Sequence, residues 1–488
     1  MMGTSSSRKR AAGWRRVRRL PCRLMSSSTF RRAHAGLKLE LPSMLRLAGP
    51  VVVAELGWMA MGLVDIAFVG RLGPAALGGV SIGNSIFIAV AIFGIGMLFG
   101  LDYLVAHAHG GGRPDEVNRS LLTGVYMALI LSAVLMTFLV LLLPHLGRLG
   151  IGEDVLIHAR QFLLLITLGM PPLLLFVALR RYLQAVGSVT SIMFGLLSAN
   201  ILNAAVGYAL VFGKWGFPAL GVAGAGWATC VARFYLLFVA VVAILIREKK
   251  MPTGLWSTPP SLERARLTHL MQLGLPVAIQ ITLEVGVFAA ATILAGRLGT
   301  LPLAAHQIAL SIASVTFMVP LGISSAGAVR VAQALGAGNR SQAARSGWTA
   351  IATSAAFMTL SGLILAMFPT TFIAVFTDDP EVIRVGTTLL RVAAIFQLFD
   401  GLQVTASGVL RGTGETRLPM LVNLIGHWAI GLPVGIGLAF QLGQGITGLW
   451  SGLCLGLIVV GLVLLAVWRR RAAGWGDPQG RPKVSEAQ

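Results

Sequence analysis

Apolar runs of about twenty residues recur along the chain, separated by short polar stretches that hold most of the Lys and Arg. Each run is long enough to cross a hydrocarbon core of roughly 30 Å as a helix rising about 1.5 Å per residue. The pattern predicts twelve spans, near 46–69, 79–104, 121–143, 159–179, 190–212, 219–246, 272–295, 303–329, 347–368, 387–408, 419–440 and 446–468. The alternation of period two that an outer-membrane barrel requires is missing. The pattern alone therefore predicts an all-α polytopic membrane protein.

The chain also repeats itself. An ungapped shift of 226 places Leu47–Val52 on Leu273–Ala278, Gly70–Gly73 on Gly296–Gly299 and Val105–Gly112 on Val331–Gly338. Aligned Pro and Gly in one register indicate duplication. The charged connection near 247–271, with Thr258-Pro259-Pro260, then reads as a linker between two six-helix repeats. The expected division is a basic tail over 1–40, a first lobe over 41–246, a linker over 247–270, a second lobe over 271–468 and a tail over 469–488. Six is even, so both halves enter the membrane in one direction, related by an axis along its normal, and a cavity between them suits alternating access.

Composition agrees. Of 488 residues 56% are hydrophobic and 12% charged, with mean hydropathy +0.80; soluble domains carry about 25% charged residues. The formal net charge of +21 would suggest nucleic acid in a soluble chain. Here the bases lie between the apolar runs, which points to the positive-inside rule and the lipid bilayer and excludes a nucleic-acid partner. With the N-terminus inside, the inner loops hold Arg113, Arg119, Arg180, Arg181, Arg247, Lys249, Lys250, Arg340, Arg345, Arg411 and Arg417. The outer loops hold scattered bases and the acid clusters Glu153-Asp154 and Asp378-Asp379. Both termini are therefore expected in the cytoplasm, in a multi-pass protein of the cell inner membrane. Residues 1–39 lack Asp and Glu and are rich in Arg and Ser, as suits a disordered cytoplasmic tail, with an organellar transit peptide as the alternative. Cys22, Cys230 and Cys454 form no ligand or disulfide pattern.

Few acids interrupt the apolar runs: Glu55 and Asp65 in span 1, Asp102 near the end of span 2, Glu284 in span 7 and Asp400 in span 10. A charged carboxylate at a helix centre costs about 2.5–3.5 kcal/mol on insertion scales, so such acids are functional candidates. The repeat sets Glu284 against Trp58 and Asp400 against Leu173, so neither is a leftover of the duplication. Gln280 lies one turn before Glu284, and Gln397 and Gln403 flank Asp400, which puts amide oxygens on the acids' faces. That set suits Na⁺, a proton relay or an organic cation, the last assisted by Phe288 and Phe399. Asn200 and Asn203 in span 5 stand either as oxygens around Asp65 or as amides joining helices. Glu55 lies about 80° round the helix from Asp65 and stays unassigned. His306 reads as structural. No zinc spacing, catalytic triad or Walker loop occurs, which argues against an enzyme and against a resident cofactor.

Over residues 40–470 the chain resembles the multidrug and toxic compound extrusion (MATE) family, in its NorM-type branch. The resemblance is carried by LAGPVVVAELGWMAMGLVDIAFVGRLG around Asp65, LPLAAHQIAL after span 7, FQLFDGLQVTASGVLRGTGETRLPM around Asp400, and HWAIGLPVG in span 11. It implies two six-helix lobes around a V-shaped cavity and export of cationic drugs in exchange for inward Na⁺ or H⁺, by a monomer. Glu284 and Asp400 match the coupling acids of the second lobe, Asp65 the acid of the first helix, and Asn203 an asparagine of the first-lobe site. Na⁺, if it is the driving ion, would sit at Glu284 and Asp400. Two positions depart from the family pattern: Gly207 stands where Asp or Asn often follows Asn203, and Trp58 where Gln is frequent. Both weaken a first-lobe ion site. The alternative within the superfamily is a flippase of lipid-linked precursors or polysaccharide, which would line its cavity with Arg or Lys. Second-half spans hold only Arg330 and Arg391, both near ends.

Overall fold

The structure, a computed structural model, describes residues 27–150 and 152–475. Twelve membrane-length helical elements follow one another: α1 Glu40–Leu72, α2 Pro74–Gly110, α3 Pro114–Arg148, α4 (Glu153–Leu168 and Met170–Ala185, bent by 45°), α5 Val189–Phe212, α6 Val222–Lys250, α7 Arg264–Arg297, α8 Thr300–Gly336, α9 Arg340–Met367, α10 Pro380–Arg411, α11 Arg417–Gln441 and α12 Gly445–Ala473. Each predicted span overlaps one of these, with ends that differ by up to eight residues, mostly because the helices run on past the apolar stretch. No strand occurs among the described residues, as the bilayer requires of a chain that must satisfy its own backbone.

Two differences from the sequence expectation have local causes. The helix that contains α1 begins at Ser27, so part of the basic segment expected to be disordered is helical. Its Arg, Ala, Leu and Lys residues favour that state. The rest of that tail, with Cys22, lies outside the described residues. The second difference is the bend in α4. Pro171 and Pro172 lack amide hydrogens, so two carbonyls of the preceding turn lose their donors. Arg233 of α6 donates from Nη1 to Ile166 O at 2.8 Å across that bend.

The duplication is written into the packing between the lobes. Gly96 of α2 sits on Ala278 of α7, and Gly322 of α8 sits on Val52 of α1; both pairs are related by the shift of 226. At the bundle end, Gly110 packs on Gln333 and Gly336 on His107, again equivalent positions. These cross-lobe approaches all lie in the halves of α2 and α8 that run toward Gly110 and Gly336. Small residues let backbones meet there without side chains between them. The lobes thus join at one end, and the other halves of their helices flank the cleft of a two-lobe fold.

Inside the second lobe, α12 presents Gly452 and Gly456 to α11, where a Cβ on either would fall 2.7 Å from Gly431 O or 2.8 Å from Gly426 O. Across from it α11 is not a regular α-helix: Leu424–Gly431 and Gly437–Gln441 are π-helical. Such wide turns gather at functional sites. The connection after α6 lies along α3, with Asn118 donating to Thr253 O, Tyr126 to Pro260 O (both 3.0 Å) and Arg119 to Glu263 at 2.7 Å. Hydrogen bonds from Arg266 and Arg119 hold the Glu263 carboxyl below the ordinary range.

The glycine joints give a direct test. At Gly322 a Cβ would stand 2.6 Å from Val52 Cγ2 and 2.9 Å from its Cα. Gly322→Leu is expected to lower stability by about 1–3 kcal/mol, the usual cost of overpacking. Gly62→Leu, with nothing within 4 Å of the added Cβ, serves as the unchanged control. Thermal unfolding in detergent separates the two.

Candidate functional site

The π-helical turns of α11 shape the second-lobe site. They bring Trp428 onto α7, where its indole N–H donates to Leu283 O at 3.0 Å, one residue before Glu284. Gly286 leaves room for that ring: a Cβ there would lie 3.3 Å from Trp428 Cζ2. Glu284 of α7 and Asp400 of α10 are both partly buried, and each carboxyl lies within range of the other's field. The Gln403 amide sits against the Glu284 carboxyl and donates to Asn423 Oδ1 at 2.9 Å. Asn423 in turn donates to Pro419 O at 2.9 Å and accepts, through its carbonyl, from His427 Nδ1 at 3.1 Å. His427 Nε2 is buried without a partner.

The flanking glutamines divide their work. Gln397 donates to Thr316 at 2.7 Å, and Gln280 reaches Ser407 at 3.4 Å. The amide oxygens of Gln397 and Gln403 are buried and unpartnered. Buried acceptors are normally satisfied, so these two oxygens, three residues to either side of Asp400, leave acceptor capacity for a proton or a hard cation. No Lys or Arg lies in salt-bridge range of Glu284 or Asp400 among the described residues. No three His, Cys, Asp or Glu side chains gather among those residues as a transition metal would need.

Asp65 and Asn203 form a separate cluster in the first lobe. Asn203 Nδ2 donates to Asp65 Oδ1 at 2.8 Å and Thr229 Oγ1 to Oδ2 at 3.0 Å. The space a side chain at position 207 would occupy is taken by the Phe68 ring, 3.0 Å from the ideal Cβ of Gly207. Trp58, the repeat counterpart of Glu284, stacks on Phe176 with ring centroids 6.4 Å apart. Asn200 donates to Gly57 O at 2.8 Å and so joins α5 to α1.

The remaining acids sit toward the joined end of the lobes. Arg180 and Arg181, placed by charge pattern in an inner loop, are buried in the second segment of α4. The helix restarts at Met170 and carries them inside. Arg180 pairs with Glu55. Asp102, fully buried, lies 3.4 Å from Arg181 and 3.3 Å from Arg411 of the other lobe, and Arg181 also donates to Ser325 of α8 at 2.8 Å. Arg330 of α8 donates to Glu40 at 2.7 Å. These arginine partners, with Asn423, His427 and Trp428, are what sequence reasoning missed. Two consecutive arginines amid FVALRRYLQAV, opposite acids that need counter-ions, were the available signal.

His306 is fully buried between α7 and α12. The Trp450 indole donates to its Nδ1 at 3.0 Å, so its Nε2 carries the hydrogen toward Thr292 Oγ1 at 2.9 Å. Both nitrogens are engaged, consistent with a structural residue. Cys230 donates to Leu165 O, and both described cysteines are buried and free.

A bundle of two six-helix lobes, with two isolated mid-span acids in one of them, is the frame of a membrane transporter, and the similar proteins are transporters. The MatE family's sequence profile matches residues 50–209 and 276–436, two copies that start 226 residues apart. The probable multidrug resistance protein NorM of Mesorhizobium japonicum is 36% identical over 446 residues, which is 88% of this chain and 94% of that protein. Its counterpart in Deinococcus radiodurans is 38% identical over 443 residues, 89% and 96% of the two chains. Among solved structures, a eukaryotic MATE transporter superposes with a TM-score of 0.80 at 23% identity, covering 90% of this chain and 99% of that one. A MOP-superfamily transporter of Pyrococcus furiosus gives 0.81 at 18% identity, with 91% and 99% coverage. The chain belongs to the MATE family.

Removing one partner of a buried ion pair strands the other, at a cost of about 3–5 kcal/mol. Arg180→Met is therefore expected to destabilise the protein by that order. Glu55→Gln combined with Arg180→Met should recover more than half of the loss, as read from a double-mutant cycle of unfolding in detergent.

Proposed function

We propose that this protein is an antiporter of the cell inner membrane that exports organic cations, drugs among them, in exchange for inward Na⁺ or H⁺. Glu284 and Asp400 are its coupling acids. The observation that carries this reading is the absence of any basic side chain in salt-bridge range of that pair among the described residues. Two partly buried carboxyls in one another's field, with no base in range, cannot both stay charged cheaply, so they take up protons or cations. The amide oxygens of Gln397 and Gln403, orphaned in this arrangement, supply further ligands for a hard cation. The similarity to multidrug resistance proteins of Mesorhizobium and Deinococcus supports drugs as substrates, and the two acids support their being cations.

The cycle follows from competition. A driving cation entering from outside neutralises Glu284 and Asp400 and displaces the bound organic cation. Rocking of the lobes then exposes the cleft to the cytoplasm, where a new substrate replaces the driving ion. The membrane potential contributes about 2.3 kcal/mol per charge per 100 mV to inward movement of the ion. Both termini lie in the cytoplasm on this reading, which the concentration of Lys and Arg on one side of the spans supports. Trp428 holds α11 against the turn that carries Glu284 and so fixes that wall of the site.

Glu284→Gln and Asp400→Asn keep shape and remove charge. Each is expected to reduce ethidium efflux driven by a Na⁺ or pH pulse at least tenfold in a drug-sensitive host, with surface expression unchanged. Efflux that survives both substitutions together would overturn the assignment.

A further inference from the structure

Arg233 is a buried guanidinium well inside α6, far from either end of Val222–Lys250. Such a charge needs compensation, and the structure supplies it from three sides. Its Nη1 donates to Ile166 O at the bend of α4, at 2.8 Å. Its Cζ lies 4.3 Å from the centroid of the Phe87 ring of α2. The space it enters is kept open by Gly169, where a Cβ would stand 2.9 Å from Nη1. Neither a carbonyl nor an aromatic face carries a full negative charge.

The third side is Asp65. Thr229, one helical turn before Arg233 on the same face of α6, donates to Asp65 Oδ2 at 3.0 Å. Asp65 and Arg233 are thus neighbours across α1 and α6, and each lies in the other's field. They form no salt bridge, and the carboxylate oxygens each accept one hydrogen bond, from Asn203 and from Thr229. The other titratable neighbour of Arg233 is Cys230, whose thiol is turned to Leu165 O at 3.0 Å. At Gly207 the space for a further ligand is filled by Phe68.

We infer that Arg233 is the resident counter-ion of Asp65 and restricts cation uptake to the second lobe. A guanidinium fixed beside the carboxylate supplies the positive charge that a Na⁺ ion or a proton would otherwise bring. The first-lobe acid then ties α1 to α5 and α6 through Asn203 and Thr229 and recruits no driving ion. This makes Arg233 a determinant of how many cations move per substrate. The inference rests on the coupling role proposed for Glu284 and Asp400 and adds that no second site operates beside them.

Two counts of bound cations test it on the purified full-length protein: equilibrium binding of radiolabelled Na⁺, and proton release on adding ethidium in weakly buffered detergent. Asp65→Asn is expected to leave the number of cations per chain at the wild-type value. Arg233→Met should raise it by roughly one, because an uncompensated buried carboxylate takes up a cation. The gain should vanish in Asp65→Asn/Arg233→Met and be absent in Arg233→Lys. A lower count in Asp65→Asn alone, or an unchanged count in Arg233→Met protein that elutes as a folded species, overturns the inference. If Arg233→Met does not fold, Asp65→Asn decides by itself. Glu284→Gln, run in parallel, tests the second-lobe role separately, since its failure to lower the count would sink that reading and leave the Arg233 comparison standing.

Discussion

A carboxylate inside a membrane-spanning helix must be compensated, and the way this chain distributes its compensating charge organises everything else. In the first lobe Glu55 pairs with Arg180 and Asp102 with Arg181, and Asp65 accepts from Thr229, one turn before Arg233 on α6. The second lobe contributes Arg411 and Arg330 to acids of the first, yet provides no base in salt-bridge range of Glu284 or Asp400 among the described residues. The same chemical group is thus paired with arginine at Glu55 and Asp102 and without a base in range at Glu284 and Asp400 among the described residues. Duplication supplied two similar frames, and arginine placement made them unequal.

The ion pairs and the glycine joints work on the same region. Where Gly96, Gly110, Gly322 and Gly336 bring backbones together, Asp102–Arg411 and Glu40–Arg330 cross between lobes. Close backbone packing excludes water and strengthens those charge interactions, while the charges give specificity to an interface that dispersion alone would leave slippery. An interface of small residues with a few ion pairs can open and re-form, because little side-chain interdigitation has to be undone.

Much of this was legible in the sequence. Twelve spans followed from run length, the two-lobe frame from the shift of 226, and the candidacy of Glu284 and Asp400 from their isolation in apolar surroundings. What stayed hidden depends on geometry that period and composition do not encode. Arg180 and Arg181 read as loop residues because hydropathy ends a span at the first charge, whereas the helix restarted at Met170 continues past them. The π-helical turns of α11 have no sequence rule of comparable strength, so Trp428, Asn423 and His427 could not be placed against α7. Gly207 was visible as a departure. That Phe68 fills the space required coordinates.

The connection between the lobes is fastened to α3 by Asn118, Arg119 and Tyr126. Mechanically, it is therefore cargo of the first lobe and not a tether stretched between two bodies. The slack available to relative motion is confined to the short stretch around Arg264 where α7 begins. A pivot that close to the helix start limits how far the second lobe can slide and favours rotation over translation, so the path of the motion is constrained by the covalent chain as well as by packing.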